Sequence, residues 1–151
     1  RSTQTQGYLR MKGAVTMSIM ITCVIYHFML APLATPEKFY RLENFLCHYI
    51  VPLMFFFDTL VIDKAKQYRK LDPFLWTLIP LAYMLFALLN GLVLKWPIPG
   101  AKDSPFAYFF INVNKFGWNK VLVNVLVISA GYIAVGYLLY LLKKFIGRKP
   151  A

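Results

Sequence analysis

Four long apolar segments constrain this chain more than any other feature of its sequence. They cover residues 13–33, 45–62, 73–94 and 121–142, and Asp58 in the second is the one Asp, Glu, Lys or Arg among them. A helix needs about 20 predominantly apolar residues to cross the hydrocarbon core of a bilayer. Because backbone polar groups must be satisfied inside a membrane, each segment is predicted to be a helix. The sequence therefore predicts an all-α, multi-pass transmembrane helical bundle that forms a single domain over residues 1–151.

The basic residues lie between these segments rather than on one polar face. The formal net charge is +11, yet 59% of the residues are hydrophobic and only 15% are charged. This pattern is typical of topology signals and of contacts to membrane lipid, and it argues against a nucleic-acid partner. Eleven of the 17 basic residues fall on one predicted side of the membrane: Arg1, Arg10, Lys12, Lys64, Lys66, Arg69, Lys70, Lys143, Lys144, Arg148 and Lys149. Both termini are therefore predicted to be cytoplasmic.

The second segment is the first place to look for chemistry, because ionisable residues are costly inside a membrane. His48 lies about one turn below the predicted outer end of its helix, where a neutral imidazole can act as a general base. The alternative is that His48 only makes a hydrogen bond within the bundle. Asp58 would lie about 15 Å deeper and on a different face, so it cannot pair with His48 on a straight helix. Asp58 is expected to be an interfacial or charge-paired residue within reach of Lys64 or Lys66, and a catalytic role is the alternative.

Further polar residues are predicted at the same outer end of the bundle. His27 lies near the end of the first segment, and Asn90 and Asn124 lie at the outer ends of the third and fourth. These three residues are candidates for substrate binding beside His48. Two histidines without a third ligand at suitable spacing do not predict a metal site, and no motif indicates a cofactor.

The loop from Lys95 to Lys120 is unusually aromatic for a water-exposed loop, and we refer to it as the long loop. Phe106, Phe109 and Phe110 are its main apolar cluster and are further candidates for substrate binding. The rings are predicted to form either an aromatic anchor belt at the membrane interface or a lid over a lipid-binding cavity. The sequence leaves both possibilities open.

Several stretches resemble the androgen-induced, six-helix membrane hydrolase family, and most closely its bacterial branch, the Pr-six-Pr membrane proteins. They are ENFLCHYIVPLMFFFD at 43–58, LRMKGAVTMSIMITCVIYHFMLAPL at 9–33, LWTLIPLAYMLFALLNG at 75–91 and PFAYFFINVNKFGWNKVLVNVLV at 105–127. The resemblance implies a six-helix bundle in a bacterial cell membrane. This chain would hold the last four helices, and the missing N-terminal helices of the same protein would be its partner.

The resemblance also implies an activity, because the animal members of that family are threonine hydrolases that cleave fatty-acid esters of hydroxy fatty acids. His48 matches the family histidine through the IVP that follows it, and the threonine would lie upstream of Arg1. The chain alone would then be inactive, and His27, Asn90 or Asn124 would polarise the ester carbonyl or orient His48. Two alternatives stay open. One is a non-enzymatic lipid-binding or transport protein, and the other is a bundle module that assembles with another chain, in an oligomeric state that the sequence does not give.

Overall fold

In the computed structural model, which describes residues 5–147, the chain is all-α. Four helices are long and apolar enough to cross a membrane, which is compatible with a multi-pass membrane protein. They are α1 (Gln6–Leu33), α3 (Leu42–Ile62), α4 (Asp72–Leu94) and α5 (Val113–Phe145), and the short α2 (Pro36–Phe39) lies between α1 and α3. The predicted fold class is therefore confirmed. Arg1, Arg148 and Lys149, which were counted toward the predicted topology, lie outside the described residues.

All four helices begin before their apolar segments, and the difference is largest for α1 and α5. Helix α1 begins at Gln6, where the Thr5 hydroxyl accepts the backbone N–H of Tyr8 and caps the first turn. Helix α5 begins at Val113, inside the stretch predicted as loop, and it is interrupted at Gly117. Gly117 has a φ of 73°, a left-handed conformation that residues with a Cβ atom rarely adopt. The long loop therefore ends at residue 112.

Single π-helical turns lie within or at the end of the spans, at the predicted polar residues. The turns Tyr26–Leu30, Leu46–Ile50, Asp58–Ile62 and Asn90–Leu94 contain His27, His48, Asp58 and Asn90 respectively. In α3 the cause is local, because Pro52 has no N–H to donate to the carbonyl of His48 four residues earlier. Such turns occur frequently at functional sites.

The chain divides into two compact units, and the division falls within α4 and α5. The first unit contains Arg1–Trp76 and Val135–Ala151, and the second contains Thr77–Ala134. In the first unit α1 packs along α3 and against the first turn of α4, over a core that includes Leu9, Met17, Trp76 and Leu139. The core of the second unit includes Ala87, Phe106, Phe110, Ile111 and Val121.

The surfaces of the spans are largely apolar. At most 22% of the most apolar stretch of any span is buried. Large side chains such as Phe28, Met54, Leu85 and Leu126 are exposed. Soluble monomers rarely expose continuous apolar surface on this scale, so these faces suit contact with lipid chains.

Candidate functional site

His48 in α3 is held by one hydrogen bond and one stacked ring. Its Nδ1 atom lies 3.0 Å from the backbone carbonyl oxygen of Asn44, and its ring stacks on Tyr26 of α1 with 3.9 Å between the centroids. A carbonyl oxygen can only accept, so Nδ1 must donate and carry the proton. In the neutral ring the free lone pair therefore lies on Nε2, which makes Nε2 the basic atom of a half-buried, oriented imidazole.

Asn44 also fixes the tyrosine on which His48 stacks. Its side-chain amide donates to the Tyr26 hydroxyl at 2.5 Å and to the backbone carbonyl of Phe39 at 2.9 Å. Tyr26 is buried, and the bond from Asn44 uses an oxygen lone pair of its hydroxyl. The hydroxyl proton of Tyr26 is therefore not used in that bond. Sequence reasoning missed Tyr26, although its place beside His27 in an apolar segment was a usable signal.

His27 lies close to this arrangement, as predicted, but it is exposed. Its Nδ1 atom is 3.1 Å from the hydroxyl of Tyr49, the residue after His48. The Tyr49 ring meets both Tyr26 and His27 edge-on, with centroids 5.8 Å and 6.0 Å apart. We call Tyr26, His27, His48 and Tyr49 the histidine–tyrosine cluster. Four neighbouring residues on two helices thus bring both predicted histidines together.

Asn90 is buried in the second unit, where it fixes the long loop. Its side-chain amide donates to the carbonyls of Trp96 at 3.1 Å and Pro105 at 2.8 Å, and its Oδ1 accepts the N–H of Trp96 at 3.2 Å. Both amide protons are therefore committed to the loop. This arrangement favours a structural role over the predicted substrate contact.

The predicted apolar cluster of the long loop packs against the protein of the second unit, whereas Trp96, Phe116 and Trp118 are exposed. Phe106 and Phe110 are buried, and Phe109 is partly exposed. Asn124 of α5 donates to the carbonyl of Phe110 at 3.0 Å, so it also anchors the loop. Burial raises the pKa of Tyr108, whose ring stacks on Phe110, to about 12. The five candidates Asn90, Asn124, Phe106, Phe109 and Phe110 belong to the second unit, and His27 and His48 belong to the first.

The predicted partner of Asp58 was wrong, although Asp58 is charge-paired as expected. Its carboxylate pairs with Lys12 of α1 rather than with Lys64 or Lys66. Lys12 also lies 2.8 Å from Oδ1 of the fully buried Asp63. The reason is that α1 begins seven residues before the apolar segment, so Lys12 is helical and lies beside the end of α3.

A second ion pair joins the beginning of α1 to the beginning of α4. The guanidinium of Arg10 binds both carboxylate oxygens of Asp72, with Nε at 3.0 Å from Oδ1 and 2.8 Å from Oδ2. Asp72 is buried and also accepts the backbone N–H of Arg69 at 2.8 Å. Sequence reasoning missed this pair, since its members lie 62 residues apart.

No family model, no curated protein and no solved structure matches this chain. The resemblance described above therefore stays a prediction drawn from the residues themselves. Among residues 5–147, no group of three or more His, Cys, Asp and Glu side chains is placed to hold a metal ion.

Proposed function

We propose that this chain is the base-bearing part of a multi-pass membrane hydrolase that cleaves fatty-acid esters, with His48 as the general base. The observation that carries the proposal is the hydrogen bond from Nδ1 of His48 to the Asn44 carbonyl, at 3.0 Å. It fixes the tautomer whose Nε2 can take a proton, and the stacked Tyr26 fixes the plane of the ring. A positioned imidazole with a free lone pair is what a general base requires.

The nucleophile in this proposal is a threonine on a helix outside the chain, as the resemblance implies. Nε2 of His48 would take the hydroxyl proton while the threonine oxygen attacks the ester carbonyl. The alcohol would then leave with the proton from His48, and the acyl-enzyme would be hydrolysed by water that His48 activates in turn. The apolar surfaces of the spans support a substrate whose acyl chains stay in the hydrocarbon region.

The test uses the protein that includes the preceding helices, purified in detergent and supplied with a fatty-acid ester of a hydroxy fatty acid. We expect His48→Gln to lower kcat by about 100-fold or more, as for the loss of a general base. Cys47→Ala is the matched control, because Cys47 is the exposed neighbour of His48 on the same turn, and it should retain full turnover.

Thermal unfolding of both variants, followed by circular dichroism, shows whether the fold is kept. Unchanged hydrolysis in a folded His48→Gln protein would remove His48 from the mechanism. Absence of hydrolysis in the unmodified protein, together with retention of the ester, would favour the non-enzymatic lipid-binding function instead.

A further inference from the structure

A separate cavity in the first unit lies between the loop after α3 and the last turns of α5. It has a volume of about 380 Å³, and basic and aromatic residues line it: Lys66, Tyr68, Tyr140, Lys143, Lys144 and Phe145. Three of these six residues are lysines and none is acidic. The cavity is therefore suited to an anion.

The walls of this cavity are held in place by hydrogen bonds between the loop and α5. The buried ammonium of Lys143 donates to the carbonyls of Leu60 at 3.0 Å and Asp63 at 2.9 Å. The backbone N–H of Lys66 donates to the carbonyl of Lys143 at 2.8 Å, and Lys66 has a left-handed φ of 58°. Lys143 is thus committed to the protein, whereas Lys66 and Lys144 are exposed and remain available to a ligand.

Tyr68 belongs to the packed wall of the cavity. Its side chain is 8% exposed, with its ring edge-on to Trp76 at 4.8 Å between centroids. Its hydroxyl lies against Gly13 of α1, where an added Cβ atom would be 2.8 Å from it. The groups that can meet a ligand are therefore the exposed Lys66 and Lys144.

The position of the cavity indicates that the anion belongs to a lipid. It lies where α5 ends at Phe145, and α5 is a candidate membrane span. Phe145 is 84% exposed, and the exposed Leu141 lies one turn earlier. The ammonium of Lys144 lies 4.7 Å from the centroid of the Tyr140 ring. Lysines beside aromatic rings at the end of a span lie at the level of lipid headgroups.

We propose that this cavity binds the phosphate of an anionic phospholipid headgroup. Lys66 and Lys144 supply the positive charge, and Phe145 lies against the acyl chains. This site is independent of the histidine–tyrosine cluster and of the hydrolase proposal.

The experiment titrates the full chain in detergent with short-chain phosphatidylglycerol and, in parallel, with phosphatidylcholine, and reads the affinity from the rise in melting temperature. We expect binding of phosphatidylglycerol and little binding of phosphatidylcholine. The double variant Lys66→Gln, Lys144→Gln should bind phosphatidylglycerol at least about 10-fold more weakly. The reason is that each lysine near an anionic headgroup raises the affinity several-fold. The matched control Lys64→Gln, Lys70→Gln removes the same number of charges from the loop between α3 and α4, outside the cavity, and should bind normally.

Three outcomes would overturn the lipid site itself. They are equal binding of both lipids, an equal loss in the two double variants, and unchanged phosphatidylglycerol binding in Lys66→Gln, Lys144→Gln. Inorganic phosphate and glycerol phosphate are added as competitors to distinguish the source of the anion. Displacement of the lipid by either at millimolar concentration would assign the cavity to a free phosphate instead.

Discussion

At the residue scale, the polar side chains within the spans differ in which of their donor and acceptor atoms remain free once their hydrogen bonds are made. Asn90 donates both amide protons to backbone carbonyls of the long loop, so it acts as an anchor. His48 makes its hydrogen bond through Nδ1 alone, which keeps Nε2 for another group. The sequence located both residues, but their partners Trp96, Pro105 and Tyr26 are set by the tertiary fold. The positions of Asn90 and His48 within the spans were therefore predictable from the sequence, whereas their roles were not.

Gly91 is the residue of α4 on which Phe106 of the long loop packs. A Cβ atom there would lie 2.3 Å from a ring carbon of the buried Phe106. We expect Gly91→Ala to lower the free energy of unfolding by about 1–3 kcal/mol, as for overpacking of a core. Thermal unfolding in detergent measures the change.

The matched control for this prediction is Gly131→Ala, which lies in α5 of the same unit. A Cβ atom there has nothing within 4 Å, so alanine should leave the stability unchanged or raise it by about 0.5–1 kcal/mol. Equal melting temperatures for the two variants would contradict the close packing of Phe106 on Gly91.

At the element scale, the sequence identified every span but placed the beginnings of α1 and α5 well inside the helices. The first apolar segment begins only at residue 13, because Arg10 and Lys12 interrupt the apolar pattern before it. Both belong to α1 because carboxylates from other elements, Asp72 for Arg10 and Asp58 for Lys12, neutralise them. A local hydropathy pattern contains no information about pairs 62 or 46 residues apart. The apolar spans were therefore predictable from the sequence, whereas the ion pairs at the beginning of α1 were not.

Asp72 is the residue on which the junction of α1 and α4 depends. Asp72→Asn removes a buried carboxylate that binds Arg10 through two oxygens and leaves the guanidinium without its counter-charge. We expect a loss of about 1–3 kcal/mol in the free energy of unfolding, as for breaking a charged hydrogen bond in a partly buried site. Chemical or thermal unfolding in detergent provides the measurement.

Glu43→Gln is the comparison for that variant. Glu43 pairs with Arg41 at 3.2 Å, but both side chains are exposed, and such pairs contribute about 0–1 kcal/mol. If Asp72→Asn were no more destabilising than Glu43→Gln, the junction would not depend on the Arg10–Asp72 pair.

At the scale of the whole molecule, the apolar surface and the placement of charge are compatible with a multi-pass membrane protein. The four spans expose most of their apolar residues, and the charged pairs of Arg10, Lys12, Asp58, Asp63 and Asp72 lie at span ends or in the connection between α3 and α4. A membrane span with charges confined to its ends has one preferred depth. Which end faces the cytoplasm is decided by the balance of basic residues, and the sequence provides that balance directly.

The predicted topology places both termini in the cytoplasm, because 11 of the 17 basic residues lie on that side. Single cysteines test it in a background in which Cys23 and Cys47 are replaced by alanine. We expect a cysteine at Lys102 in the long loop to react with a membrane-impermeant thiol reagent in intact cells. A cysteine at Lys149 should react only after the membrane is permeabilised. The reverse pattern would place the Asn44–His48 end of α3 at the cytoplasmic face, and the ester substrate would then have to reach His48 from the inner leaflet.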